Sequence, residues 1–537
     1  MGLEQATARE IVEKAVAHKW GIPEFQRGFV WTPQKVRDLA DSLWRGYPVG
    51  SYLVWYSQDD VEPKIHEDQS SPGAWLVDGQ QRTTALCILL GRKPYWWEGE
   101  WNSTIDRHDV RFDVMAEDEP YFSLRSAAMK GAAGRRWVSV RMVLEADDDK
   151  LAALVNQLLS DLQLPLGKFG MLWTRLDGVR RVRDSQIPIL TVTLDLEDVT
   201  EIFARLNSAG TKVTEADIAL ALAASQNPGW ARKEFLPFLS RLADAGFDID
   251  PNLVFRSTVA IGLGQARLKD VPRSYWAGPQ LADSWIKTRD AWERVVKYVE
   301  QLGILSSDVL PTKSALIPLT VLVDGFPQVL ADSKPLAWIL HATRSGRYGG
   351  SAITALDKDV KAIRESATAS EALDRMSGQM DPWVPFVAAD FMADYRDRFM
   401  RLVMYLIAWD REARDWVSKQ RLGFQGAEIL ERFDPDWHHI FPRAYLRDQE
   451  VPEDQWNHFA NVAVVDGETN RGFAAKPPTA YLDYYSVDDK QLDEQLVPTD
   501  RALLTVARYQ EFLALRSERL AEAANDYYGR LFDGRLP

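Results

Sequence analysis

Asp436-Trp437-His438-His439-Ile440-Phe441-Pro442 is the stretch on which the reading of this chain turns, and Asn461 and Asn470 follow it. Two adjacent histidines close a strand-like run and a proline ends it. The chain has only 7 histidines in 537 residues, so an adjacent pair stands out. A hydrolytic metal centre needs this combination. One neutral imidazole holds a divalent ion, and a second, free of the metal, takes a proton from water. Oxygen ligands from another element complete the site and leave positions for water and a phosphate. Asn457 and His458, in Trp456-Asn457-His458-Phe459, are competing ligands. Asn461 and Asn470 are preferred because each sits at a strand or turn boundary.

His439-Ile440-Phe441-Pro442 with the downstream Asn461 and Asn470 resembles the HNH (ββα-metal) nuclease signature, in the variant found at the C-terminus of GmrSD-type modification-dependent restriction enzymes. The resemblance covers roughly residues 400–490, including Lys476-Pro477-Pro478 and Tyr481-Leu482. It implies that His438 is a metal ligand, where many relatives carry Asp, and that His439 is the general base. It implies that Asn461 orients the catalytic loop and that Asn470 is the second ligand of a single Mg²⁺ or Mn²⁺.

Near the other end, residues 76–90 run from a short apolar strand through Asp78-Gly79 into Gln80-Gln81-Arg82-Thr83 and an apolar helix. Gly79 permits a tight turn. The new helix points unpaired N–H groups outward, a natural anion site, and Gln80, Gln81, Arg82 and Thr83 crowd it with donors. Asp78 is placed to hold a metal or a ribose hydroxyl. The physics suggests a phosphate or nucleotide pocket. Upstream is Ile22-Pro23-Glu24-Phe25-Gln26-Arg27-Gly28-Phe29-Val30-Trp31, and downstream is Glu201-Ile202-Phe203-Ala204-Arg205-Leu206-Asn207-Ser208-Ala209-Gly210. The three blocks together resemble the N-terminal domain of the same GmrSD-type enzymes, related to the ParB/sulfiredoxin-like group. That resemblance covers about residues 1–225. It implies binding and hydrolysis of an NTP (GTP or ATP) and sensing of modified DNA, with Gln26, Arg27, Trp31 and Asn207 as candidates for substrate or DNA sensing. Cys87, the only cysteine, lies on the apolar face of the helix and reads as a small core residue. That separates the chain from sulfiredoxin chemistry, which requires a reactive thiol.

A chain of 537 residues is too long for one core. The single Cys excludes a disulfide framework and fits a reducing cytosol. The N-terminus lacks the basic start and apolar core of a signal peptide. No run reaches the roughly 18 apolar residues of a membrane span; Leu316 to Leu330 is interrupted by Pro318, Asp324-Gly325 and Pro327. A cytoplasmic protein without a membrane partner is expected. The formal net charge of −14 is awkward for a DNA enzyme, since phosphates are met by Lys and Arg. Basic clusters at 130–136, 180–183 and 344–348 are candidate DNA-channel linings, so weak, salt-sensitive DNA binding is expected.

Periodicity predicts helices over 4–20, 33–46, 141–160, 197–206 and 214–224, with Thr214 as a cap, and strands at 52–56, before the Asp78 turn and over 187–196. Residues 109–124 read as extended and hairpin-like. Long helical periodicity follows over 227–400, then more helix over 380–430 and a closing helix over 500–530. The expectation is an α+β, predominantly helical protein in three parts: a nucleotide-handling sensor over 1–225, a helical scaffold over 226–395 and an HNH nuclease over 396–537. Its function would be metal-dependent cleavage of DNA in antiphage restriction, gated by the NTP site. Homo-oligomerisation is left open. The rivals are a nucleotide-regulated DNA-binding or signalling protein with a degenerate nuclease centre, an RNA-cutting toxin, and a structural protein in which both motifs are relics.

Overall fold

The structure, a computed structural model, describes residues 2–23, 28–56, 74–124, 136–194, 199, 202, 215–227, 229–276, 278–472 and 476–534. It is a mixed α+β chain made of two compact units, Met1–Lys233 and Glu234–Pro537.

The first unit is built on a mixed five-stranded sheet. Its strands are β1 (Gly2–Thr7), β2 (Trp20–Gly21), β3 (Tyr52–Trp55), β4 (Ala74–Asp78) and, late in the unit, a strand over Gln186–Val192, in the spatial order β1, Gln186–Val192, β3, β4, β2. The predicted helix over 4–20 is shorter than expected. Residues 2–7 pair antiparallel with Gln186–Val192 instead. The helix α1 (Ala8–Val16) starts where Thr7 and Glu10 close a capping box: the Glu10 amide donates to the Thr7 hydroxyl at 3.1 Å and the Thr7 amide to the Glu10 carboxylate at 2.7 Å. In β3 and β4 every residue but Asp78 is buried, because both faces are covered. Tyr52, Val54 and Leu76 join the main core with α1, α2 (Pro33–Trp44) and α3 (Gln80–Leu89). Leu53, Trp55, Trp75 and Val77 face the other way, onto Val192 and Val199.

The extended stretch 109–124 forms two antiparallel strands, β5 (Val110–Asp113) and β6 (Phe122–Leu124), and β7 (Trp137–Ser139) adds to the far edge of β5. The single helix expected over 141–160 is two, α4 (Val140–Glu145) and α5 (Asp148–Asp161). Asp147 breaks it by capping the second, accepting from the Lys150 amide at 2.8 Å. Sequence periodicity missed α6 (Phe169–Arg180), whose buried residues are Leu172, Leu176 and Val179. The strand Gln186–Val192 is β8. The helix expected at 197–206 and the Thr214 cap lie largely or wholly outside the described residues, which resume in α7 (Glu215–Gln226).

The second unit is helical apart from two small hairpins. Its larger helices are α8 (Leu236–Asp244), α9 (Pro251–Leu263), α10 (Pro279–Gln301), α11 (Leu316–Gly325), α12 (Lys334–Arg344), α13 (Ala352–Arg364) and α14 (Ala369–Ser377). The apolar run at 316 is α11, buried from Leu316 to Val323 and carrying Pro318 in its first turn, where a missing N–H costs nothing. No described helix is long and apolar enough to cross a membrane. The helix predicted over 380–430 is confined to Ala388–Phe391 and α15 (Arg398–Asp410). Beyond it the chain turns repeatedly, with positive φ at Glu412, Lys419, Gly423 and Gly426, and makes only the two-residue strands β9 (Phe424–Gln425) and β10 (Glu428–Ile429).

Then β11 (Asp436–His439) leads through α16 (Arg443–Asp448) to β12 (Val462–Val465), its antiparallel partner, and directly into α17 (Gly467–Gly472). Helices α18 (Pro478–Tyr484) and α19 (Asp489–Glu494) follow. The closing helix α20 spans Tyr509–Phe532, beginning later than predicted because 501–508 is two 3₁₀ turns. The expected core positions Leu503, Leu504, Tyr509, Leu513 and Leu520 are all buried.

Candidate active site

The hairpin register sets Asp436 opposite Val465, His438 opposite Ala463 and His439 opposite Val462. Along β11 side chains alternate faces, so Asp436 and His438 share one face and His439 takes the other. Asn470, from α17, spans the shared face. Its amide nitrogen donates to Asp436 Oδ2 at 3.1 Å, and its Oδ1 lies 3.1 Å from His438 Nδ1. His438 is buried, with its ring edge-on to Trp416 and Tyr481. His439 Nε2 lies 3.1 Å from Asn457 Oδ1, and Tyr395 packs against the ring. Burial lowers both imidazoles from their ordinary value to about 4, so both rings are neutral at neutral pH. A cavity of about 340 Å³ opens over the hairpin, lined by Asp436, Trp437, His439, Asn470, Tyr395, Arg401 and Arg443.

Asn461 is fully buried and does not reach this cavity. It accepts from the Phe441 amide at 2.9 Å and donates to Phe441 O at 3.1 Å and Trp456 O at 2.9 Å. The two ends of the connection between β11 and β12 are thereby tied together. Behind the hairpin, Arg516 of α20 is fully buried and donates to Ala460 O and Val462 O, both at 2.8 Å, and to Gln495 O at 3.1 Å. Gln495 in turn pairs with both backbone groups of Val464. Asp415 accepts from the Asp466 amide and the Thr469 hydroxyl and fixes the start of α17.

Metal chemistry fits the donor set on the shared face. Two cis ligands about 2.1 Å from an octahedral ion lie about 3.0 Å apart, and His438 Nδ1 and Asn470 Oδ1 are 3.1 Å apart. The imidazole would offer its Nδ1 lone pair once the proton that bonds Asn470 Oδ1 moves to Nε2, and Asp436 supplies an oxygen on the far side of the Asn470 amide. Among the described residues no group of three or more His, Cys, Asp or Glu is clustered to hold a metal. An ion here therefore depends on the Asn470 amide oxygen, water and substrate oxygens as well. Asp436 was not singled out in the sequence, although its two-residue spacing from His438 places it on the same strand face and its carboxylate accepts from Asn470. Arg443 directly follows Pro442, whereas Arg401 and Tyr395 come from another segment and left no local mark.

In the first unit, Gly79 ends β4 with φ +111° and begins α3. A Cβ there would stand 2.4 Å from the Tyr52 ring, so only glycine fits. Arg82 donates to Asp78 Oδ2 at 2.6 Å and to Val49 O and Ser51 O at 2.8 Å each, with its guanidinium over the Tyr52 ring. Gln81 donates to Gly28 O and accepts from the Val30 amide, both at 2.9 Å. Both side chains thus brace neighbouring loops. Gln80 is buried, and its Oε1 has no hydrogen-bond partner among the described residues. The Thr83 hydroxyl donates back to Gly79 O. Trp31 packs partly buried against the core, and its carbonyl oxygen lies 3.4 Å from His108 Nε2. Gln26, Arg27 and Asn207 lie outside the described residues.

Comparison with known proteins adds two findings. The chain is 20% identical to the uncharacterized protein MJ0686 of Methanocaldococcus jannaschii over 543 aligned residues, covering 88% of this chain and 85% of that protein. Residues 9–224, less than half of the chain, match the family described as the GmrSD restriction endonuclease, N-terminal domain, so this part of the chain is similar to that domain.

Proposed function

We propose that the second unit is an HNH-type, metal-dependent endonuclease that cuts DNA in antiphage restriction, and that the GmrSD-like first unit governs it by binding and hydrolysing an NTP and sensing DNA modification. The observation that carries the nuclease reading is the strand–strand–helix order of β11, β12 and α17, which gathers His439, Asp436 and Asn470 at one cavity, with the buried His438 3.1 Å behind Asn470. His438 and Asn470 would hold Mg²⁺ or Mn²⁺, with Asp436 beside them. An ion held there would supply charge neutralisation at the phosphate and at the leaving oxygen. His439, neutral at neutral pH because it is buried, accepts the proton of the attacking water. A bond from its Nε2–H to Asn457 Oδ1 leaves Nδ1 as the basic nitrogen. Asn461 keeps the loop between the strands closed.

For the first unit, the GmrSD match and the anion-attracting start of α3 behind Gly79 support nucleotide binding at Asp78–Thr83. Arg82 and Gln81 would act there by holding the 49–51 and 28–30 segments in place. The chain is read as acting in the cytoplasm, with modified DNA and a nucleotide triphosphate as partners.

The test is cleavage of supercoiled plasmid with Mg²⁺ or Mn²⁺, wild type beside His439→Ala. Nicking that falls by roughly 10²–10⁴-fold in the variant is expected. Equal cutting by both proteins, or none by either with modified DNA and NTP supplied, refutes the assignment.

A further inference from the structure

We infer that Arg401 and Arg443 form a two-armed grip for the phosphates of a nucleic-acid strand laid across the cavity over β11. The inference rests on the nuclease reading of that cavity. It begins from a charge imbalance. Most arginines around the hairpin are neutralised by carboxylates: Arg396 by Asp394, Arg411 by Asp493, Arg414 by Glu494, and Arg432 by Asp434 and Asp308. Arg401 and Arg443 are not. Among the described residues Arg443 makes no hydrogen bond or ion pair, and the reach of its charge is seen in its effect on His439.

Arg401 uses only its Nε, donated to Tyr395 O at 2.7 Å. Its guanidinium is held over the faces of Tyr395 and Trp437, 4.9 and 5.4 Å from their centroids. The terminal nitrogens make no hydrogen bond among the described residues. Asp394, whose carboxylate also feels Arg401, is already bonded by Arg396.

A stacked guanidinium has little rotamer entropy left to lose, and its planar edge suits two phosphate oxygens at once. A half-buried cation whose terminal nitrogens bond no anion is costly unless one arrives in function. Position supports the same occupant. Arg401 and Arg443 come from α15 and α16, yet both wall the cavity that holds His439 and Asn470. Arg401 and Trp437 also wall a second cavity of about 290 Å³ with Arg398, Tyr405 and Asp434. Arg401 therefore stands on the ridge between two adjoining hollows, where a continuous phosphodiester chain passing from one to the other must cross. On a chain of net charge −14, such local cations are how a polyanion is held.

The experiment uses the full chain carrying His439→Ala, so that bound DNA survives. Fluorescent duplex and single-stranded oligonucleotides are titrated by anisotropy across a series of KCl concentrations. Arg401→Ala and Arg443→Ala are each expected to weaken binding about tenfold. Each should also reduce the slope of log K against log salt by about 0.9 on duplex or 0.7 on single strands, the value of one phosphate contact. Arg401→Lys should regain the slope but not the full affinity.

Slopes unchanged by both alanine variants overturn the grip. Inorganic phosphate bound by the His439→Ala chain and lost in these variants, with oligonucleotide slopes untouched, assigns the site to a free anion and overturns the strand. Plasmid nicking by the otherwise unaltered chain separates the two claims. Nicking with unchanged slopes sinks the grip alone, and lost slopes without nicking sink the nuclease reading alone. Arg443 is exposed, so its variant keeps the test valid if Arg401→Ala misfolds.

Discussion

Removing the Asn461 carboxamide measures how firmly the connection over the candidate active site is held. In Asn461→Ala three groups lose their partners at once: the buried Phe441 amide and carbonyl and the part-buried Trp456 carbonyl. Each unpaired buried group costs about 1–3 kcal/mol. A water entering the vacated volume would re-bond one or two of them, which leaves one or two unpaired and a loss of about 1–6 kcal/mol. Because roughly 1.4 kcal/mol is a factor of ten, the Phe441 amide should exchange with solvent at least about fivefold faster when it opens locally. Hydrogen exchange on peptides spanning 436–446 reads this directly, without requiring two-state unfolding of a two-unit chain. Asn461→Asp sharpens the test. It keeps the acceptor for Phe441 but turns an anionic oxygen toward two carbonyls, so protection should fall at least as far. An Asn461→Ala protein whose Phe441 protection drops by less than about fivefold would refute the argument that this side chain closes the loop.

Three further outcomes follow from the same geometry. Asn457→Asp, placing a carboxylate on His439 Nε2, should move the acidic limb of the cleavage pH profile upward, whereas Asn457→Ala should lower the rate without that shift; identical profiles in both would remove Asn457 as the group that orients the base. His438 has a folded value of about 4 against about 6.5 unfolded, so the unfolded chain binds the extra proton between those limits. Stability is full above about pH 6.5 and is lost as pH falls toward 4, by at most about 3 kcal/mol from this group, and urea midpoints that stay flat from pH 7 to 4.5 would contradict the burial of His438. Gly79→Ala forces a Cβ into the Tyr52 ring at positive φ and should destabilise the first unit by about 1–3 kcal/mol, visible as an earlier proteolytic or thermal transition.

The short-range parts of this architecture could be read from sequence. Pro33 at the start of a helix, the Asp78-Gly79 turn and the run at β11 each carry their own local signal, and the structure has helix, turn and strand there. The errors arose where a side chain reached outside the window of periodicity. The Thr7–Glu10 box and the pairing of Gly2–Thr7 with β8 split one predicted helix into strand and helix. Asp147 split another. At the candidate site, His438, His439 and Asn470 stood out by the pattern of their spacing, and the structure brings His438 and Asn470 to 3.1 Å. Asp436 was passed over because it stood outside that pattern. Arg401, Tyr395, Asp415 and Arg516 were invisible because what they do depends on tertiary approach across 36 residues or more, to which no window of periodicity is sensitive.

Arg516 carries a consequence for how the protein is made. The carbonyls at Ala460 and Val462, which set the start of β12, are held by a guanidinium lying 56 and 54 residues further along the chain. While a ribosome is still translating that interval, the hairpin lacks the donor that fixes its second strand. A polypeptide released early by truncation lacks it permanently. On the nuclease reading proposed above, a nascent or broken chain that ends before Arg516 would lack a completed hairpin and would not cut DNA.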